Sequence, residues 1–401
     1  MTRPAAFIHA GLGKCGSSFL QQVWSRDPAY VTANLGAAGQ AARQLAIRGQ
    51  AENLPRLDHG LKPLSGQTLV ASSEALSWNF LNRPARQHLL PELQRIAASL
   101  VGTCQLSDTV LFMVRNPVDW IRAAREQVLK EGGGESGSEF IGLHRGLVEH
   151  VLDLNHLQTC FGAHFDRVVF LSADEMRTSP DTFWQGYADA LGVPVPAGAI
   201  LDAVLGDDRR SNRSLGSRQD WLFRLNRQMA AIAALWAGLD GLPEMTAHAR
   251  QTLISQFRNG ARWASRRLAE HADDATLEAV FETVAQAGTG LDAFKRQAEI
   301  ISRAWSGLDP IPDHVRRERD ALMFDFRTGS RAAASQLGEF GDAGTLERLD
   351  AILGAGPVAD ADDIPLDADL RAHLRERFCD VLEGYDTVQP DTLAAYRAAL
   401  D

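Results

Sequence analysis

Residues 7–24, FIHAGLGKCGSSFLQQVW, dictate a strand, a glycine-rich turn and a helix in immediate succession. Ala5 to Ala10 is a short apolar run that stops at Gly11-Leu12-Gly13, where the chain must turn, so it reads as a buried strand. From Ser17 onward, Phe19, Leu20, Val23 and Trp24 recur at helical spacing, with Ser17 or Ser18 placed where a helix would be capped. Such a turn aims unpaired backbone N–H groups and the positive end of a helix dipole at one point, which suits a phosphate or a sulfate. Lys14 adds a full positive charge beside them. A glycine turn that merely packed tightly would need neither that lysine nor the paired hydroxyls.

Three anion-binding patterns compete for the turn. Gly11, Gly13 and Gly16 satisfy G-x-G-x-x-G, but a dinucleotide site also wants an acidic residue roughly 20 positions on. Residues 31–40, VTANLGAAGQ, contain none. The triphosphatase pattern G-x-x-x-x-G-K-[ST] fits Gly11 and Gly16, yet Ser17-Ser18 follow directly, and the lysine comes two residues before the glycine instead. That order, H-x-G-x-x-K-x-G-[ST]-[ST]-F-L-Q, resembles the 5′-phosphosulfate loop of sulfotransferases that use 3′-phosphoadenosine 5′-phosphosulfate (PAPS). The family usually has Thr or Ser where Cys15 stands, at a position where the backbone matters more than the side chain.

The whole chain limits the alternatives. Its 401 residues suffice for a full core and about two domains. A net charge of −10 with no dense Lys/Arg tract argues against nucleic acid or an anionic membrane as the main partner, so an anion site must be local. No apolar run approaches the ~18 residues of a membrane span, and no signal-peptide core precedes the first strand, so the expected location is the cytoplasm. Cys15, Cys104, Cys160 and Cys379 lie far apart, which predicts reduced thiols and neither a disulfide framework nor a zinc site.

Further strands are predicted at 68–72 (TLVAS), 109–114 (TVLFMV) and 167–171 (RVVFL), separated by helical patterns at about 85–100, 117–130, 143–162 and 178–191. Alternation of this kind predicts an α/β fold, a three-layer arrangement with helices on both faces of a parallel sheet. Ligands of such sheets sit beyond the carboxyl ends of the strands, which singles out 11–18, Ser72-Ser73-Glu74, Arg115 and the stretch after Leu171. Residues 131–139, EGGGESGSE, read as a mobile loop and a candidate lid. The expected domains are 1–230, nucleotide-binding, and 231–401, a mainly helical extension that either closes over an acceptor or forms a homodimer face.

Arg115 closes the third predicted strand, and the following VRNPVDWIRAAREQ starts a helix with Pro117 in its first turn. An arginine so placed can grip a phosphate with its planar fork. This segment resembles the sulfotransferase element that holds the 3′-phosphate of PAPS with an arginine and a serine eight residues later. Here that later position is Ala123, and Arg122 or Arg125 is the expected replacement. Similarity continues through residues 156–194 and 207–227, where Arg209, Arg210, Asn212 and Ser214 are candidates to return to the cofactor.

If the resemblance holds, it implies a PAPS-dependent sulfotransferase acting on a small-molecule or carbohydrate acceptor over about residues 5–228, with no metal required. Gly13, Lys14, Cys15, Gly16, Ser17, Ser18, Phe19, Arg115 and Arg210 are then the cofactor-binding set. Lys14 would neutralise charge on the bridging oxygen, and Phe19 would contact adenine or, at its helical spacing, simply join the core. An acceptor must lose a proton, so a base is needed near the sulfur. Glu74, after the second predicted strand, is the candidate, with His59 in LDHGLK as the runner-up; His9 is expected to orient the loop. A P-loop kinase-like phosphotransferase and a non-catalytic nucleotide-binding relative are the alternatives, the latter prompted by Ala123.

Overall fold

The computed structural model describes residues 5–50, 67–81, 83–206, 218–242, 244–285, 288–308, 313–354 and 364–401. The chain forms two compact units, neither contiguous in sequence: residues 1–124, 140–210 and 365–401 make the first, and residues 125–139 and 211–364 make the second. A division near 230 thus differs from the packing in three places: 125–139 and 218–230 pack with the helical unit and 365–401 with the α/β unit.

The first unit alternates strand and helix: β1 (Phe7–His9), α1 (Ser17–Arg26), β2 (Tyr30–Asn34), α2 (Gly36–Arg48), β3 (Thr68–Ser72), α3 (Leu90–Thr103), β4 (Thr109–Val114) and α4 (Pro117–Lys130), whose last residues fall in the second unit. It continues with α5 (Gly137–Val151), α6 (Leu154–Gly162), β5 (Arg167–Ser172), α7 (Glu175–Thr178), α8 (Pro180–Leu191) and α9 (Gly198–Leu205). The five strands pair in parallel in the order β2-β3-β1-β4-β5. Central β1 and β4 are buried at every position, as continuous apolar runs must be when helices flank a parallel sheet. The four predicted strands appear as β1, β3, β4 and β5, each where its apolar run ends at Gly, Ser or Arg, and β2 is an addition.

Helix α1 buries Ser17, Leu20, Val23 and Trp24 on one face. Trp24 meets Phe7 edge-on at 5.6 Å and donates from Nε1 to Tyr187 Oη at 3.0 Å. Helix and strand are thereby pinned on either side of the glycine turn, each fully buried aromatic contributing about 1.5–3 kcal/mol by transfer from water.

The second unit contains α10 (Arg218–Ala237), α11 (Glu244–His271), α12 (Asp274–Ala285), α13 (Gly290–Ser306), α14 (Asp313–Phe340) and α15 (Ala343–Gly354). Its core joins Trp236, Phe257, Phe294, Trp305, Phe326 and Leu337. Residues 131–136 are not a free loop here. Asn226, itself buried, donates from Nδ2 to the carbonyls of Leu129 and Gly133 at 2.6 and 2.8 Å, and Gly134 lies against the Arg227 backbone. The glycines that suggested flexibility allow close approach instead.

Residues 365–401 close the first unit beside β5. Thr387 Oγ1 donates to the Phe170 carbonyl at 2.6 Å, the Tyr385 ring meets Phe170 edge-on at 4.8 Å, and the Gln389 N–H donates to Glu175 Oε1 at 2.7 Å. Among the described residues no helix is long and apolar enough to cross a membrane.

Candidate active site

Parallel pairing brings the strand ends to one edge. The registers His9↔Ser72, His9↔Leu111 and Val114↔Ser172 send the β1–α1 loop, Ser73-Glu74, Arg115 and Ala173-Asp174 out on the same side. The Ser73 N–H donates to the His9 carbonyl and the Ala173 N–H to the Val114 carbonyl, at 3.0 and 2.8 Å, so these exits are fixed by backbone bonds.

Lys14 and Gly16 both adopt left-handed backbone, with φ of 72° and 86°. Two such residues bracketing Cys15 turn the chain sharply into the start of α1, with Gly16 as N-cap and the Met176 methyl 3.0 Å from where a Gly16 Cβ would stand. The loop carbonyls are held elsewhere. Ser77 Oγ donates to the Gly11 carbonyl and Trp120 Nε1 to the Gly13 carbonyl, both at 2.8 Å. Trp78 lies flat over Gly13, where a Cβ would stand 2.9 Å from three ring atoms. Trp78 and Trp120 meet edge-to-face at 5.2 Å, so an indole pair braces the loop.

Several polar atoms at this edge are buried without a hydrogen-bond partner: His9 Nε2, Ser17 Oγ and Arg115 Nε. His9 shares a hydrogen bond from Nδ1 with Ser72 Oγ at 2.9 Å, and burial pushes its pKa down to about 3, so it is neutral and orients rather than titrates. Burial raises the Glu74 carboxyl above the ordinary carboxylate range, opposed by the Ser17 hydroxyl and then by Lys14. Ser17 Oγ thus faces Glu74 without completing a well-formed hydrogen bond to it. Burial drives the Cys15 thiol far up, so Cys15 fills the loop as a protonated group; Arg115, Asp174, Glu74 and Arg177 all lie within electrostatic reach of it. Lys14, Ser17, Glu74 and Arg115 therefore surround one small region.

Arg115 has an acidic neighbour that its sequence position did not announce. Its Nε lies 4.0 Å from Asp174 Oδ1, while Asp174 also accepts from the Asn116 N–H at 2.7 Å, Arg177 at 2.6 Å and Tyr396 Oη at 2.8 Å. Tyr396 also bonds Ser172 Oγ at 2.7 Å, so the end of the chain helps set the Asp174 carboxylate.

Phe19 packs its ring 6.5 Å from Trp184, and Ser18 is half-buried on the first turn of α1. Neither arginine expected to replace the Ala123 contact is poised to do so. Arg122 is exposed and paired with Asp119 at 3.1 Å, and buried Arg125 donates from Nε to the Glu135 carbonyl and covers the Phe223 ring at 5.7 Å. His59 and Arg210, with Arg209, Asn212 and Ser214, lie outside the described residues. Sequence reasoning missed Trp78, Trp120, Ser77 and Tyr396, whose contacts join distant segments. It flagged the stretch containing Asp174, though not that residue's tie to Arg115. Comparison with protein-family models, curated proteins and solved structures finds no match for this chain.

Proposed function

We propose that this chain transfers a sulfuryl group from PAPS to a hydroxyl or amine of a small-molecule or carbohydrate acceptor. One observation carries the proposal: two buried donors without a hydrogen bond, Ser17 Oγ and Arg115 Nε, stand at the sheet edge where the left-handed β1–α1 loop turns into α1 beside Lys14. Buried polar atoms without hydrogen bonds cost about 1–3 kcal/mol each, a cost that a nucleotide with anionic groups at both its 3′ and 5′ ends would remove. When bound, PAPS supplies an activated sulfuryl group on a phosphate leaving group. In the proposed arrangement the start of α1 and Ser17 hold the 5′ end, and Arg115 holds the 3′-phosphate. Lys14 offsets the negative charge that grows toward the leaving oxygen, in a site where fixed positive charge needs no reorganisation.

Glu74 takes the acceptor's proton. Its raised pKa makes it a stronger base than an exposed carboxylate, while Lys14 and Ser17 favour the ionised form that must accept. Four cysteines outside any disulfide fit the cytoplasm as the proposed compartment. The test is direct. The product nucleotide 3′-phosphoadenosine 5′-phosphate should raise the unfolding temperature, ATP with magnesium should not, and labelled sulfate should pass to a member of an acceptor panel. Lys14→Ala should lower transfer by about 10²–10³-fold with the far-UV circular dichroism unchanged. Stabilisation by ATP with magnesium alone would point to phosphoryl transfer instead, and nucleotide binding without transfer to any acceptor would leave a binding protein.

A further inference from the structure

Helix α11 carries a core stripe on one side and a separate polar concavity on another. Gln251, Ile254, Ser255, Arg258, Asn259 and Arg262 line a cavity of about 340 Å³. Their spacing of three and four residues puts them on one helical face. Buried Ile254 supplies an apolar floor, and the amides and hydroxyl of Gln251, Asn259 and Ser255 line the polar walls.

The two arginines set the chemistry. On the next turn, Arg266 and Arg267 are paired with Glu270 at 2.8 and 3.1 Å. Arg258 and Arg262 have no ion-pair partner among the described residues, in a chain with more acidic than basic side chains. Like charges one helical turn apart repel each other. Arg262 is also seated deliberately. Its stem lies on Gly132, where a Cβ would stand 2.7 Å from Cγ, and Gly132 takes φ of 90°, a conformation that favours glycine. Its Nε is buried with no hydrogen-bond partner. A guanidinium held by its stem, with an unsatisfied donor, is prepared for an oxyanion.

We propose that this groove binds a compact ligand bearing two linked acidic groups, gripped together by two arginines one helical turn apart. Arg258 and Arg262 each take one acidic group as a forked pair, and Asn259, Ser255 and Gln251 bond the polar atoms between. The described lining residues all belong to the helical unit.

Pyrophosphate is the probe, titrated calorimetrically into the full chain at low ionic strength. Wild type is expected to show a saturable binding event that Arg258→Gln/Arg262→Gln lacks, while both bind 3′-phosphoadenosine 5′-phosphate equally. Exposed Arg258→Gln alone, which leaves the core untouched, should weaken the same event about tenfold, or ~1.4 kcal/mol, so the test survives if the double variant misfolds. Superposable pyrophosphate isotherms for wild type and the Arg258→Gln variant would overturn the proposal. Acetate binding as tightly as pyrophosphate would overturn the need for two acidic groups.

Discussion

Gly13→Ala isolates the bracing of the β1–α1 loop. Gly13 does not use left-handed backbone, so alanine there meets no conformational penalty of the kind expected at Gly16. The entire cost comes from the new methyl, 2.9 Å from Cγ, Cδ2 and Cε2 of Trp78. Two responses are open. Trp78, half-buried, can tilt outward and surrender its edge-to-face contact with Trp120, a loss of about 0.5–1.5 kcal/mol. Alternatively the loop shifts and breaks the 2.8 Å bond from Trp120 Nε1 to the Gly13 carbonyl, leaving a buried indole N–H unsatisfied at about 1–3 kcal/mol. Depending on the response, Gly13→Ala should destabilise by about 0.5–3 kcal/mol. Urea denaturation followed by far-UV circular dichroism measures it, in wild type and in a Trp78→Leu background. Relief of the clash predicts a smaller penalty in that background, a coupling well above the ~0.5 kcal/mol expected of independent sites. Equal penalties in both backgrounds would show that Trp78 does not brace the loop.

Two further outcomes are expected. Because burial raises the Glu74 pKa, the folded state holds that proton more tightly than the unfolded chain does, and stability falls as pH climbs from the ordinary carboxylate value through the raised one. Glu74→Gln should flatten that fall in the urea midpoint plotted against pH, and a slope equal to wild type's would remove Glu74 as its source. Asn226→Ala deletes the two bonds to the Leu129 and Gly133 carbonyls and should cost ~2–3 kcal/mol. It should also admit limited proteolysis within 131–136; cleavage there at the wild-type rate would mean that Asn226 does not hold the segment.

What the sequence disclosed and what it withheld divide along the range of the interactions. Thr109 to Val114 and Arg167 to Leu171 were legible because strands covered on both faces must be continuous apolar runs, and their tips follow from the run ends. Helix α4 was readable over its full length from Pro117 to Lys130. Strand β2, YVTAN, was not, because an edge strand only partly covered shows the broken burial of Tyr30 and Ala33 in place of a run. Lys14, Glu74 and Arg115 could be grouped at one edge from strand tips alone. Trp120 reaching back to Gly13, Asp174 standing against Arg115 and Tyr396 against Asp174 span large sequence separations, which no local periodicity encodes. Gly132, Gly133 and Gly134 were misleading for a different reason: a missing side chain signals room for motion or room for a neighbour, and only the packing tells which.

The return of residues 365–401 to the first unit bears on how the protein is made. Strand β5 ends the sheet, and its outer side is finished by Thr387 and Tyr385, yet the whole of 211–364 must be translated before either emerges. At ~5–20 residues per second, the nascent sheet waits on the order of 10 s or more with that border bare. A bare strand border is a template for pairing with another chain. Slower ribosomes or crowded polysomes should therefore favour intermolecular sheet extension over a native finish, and supplying the 365–401 peptide in trans should cap the growing product.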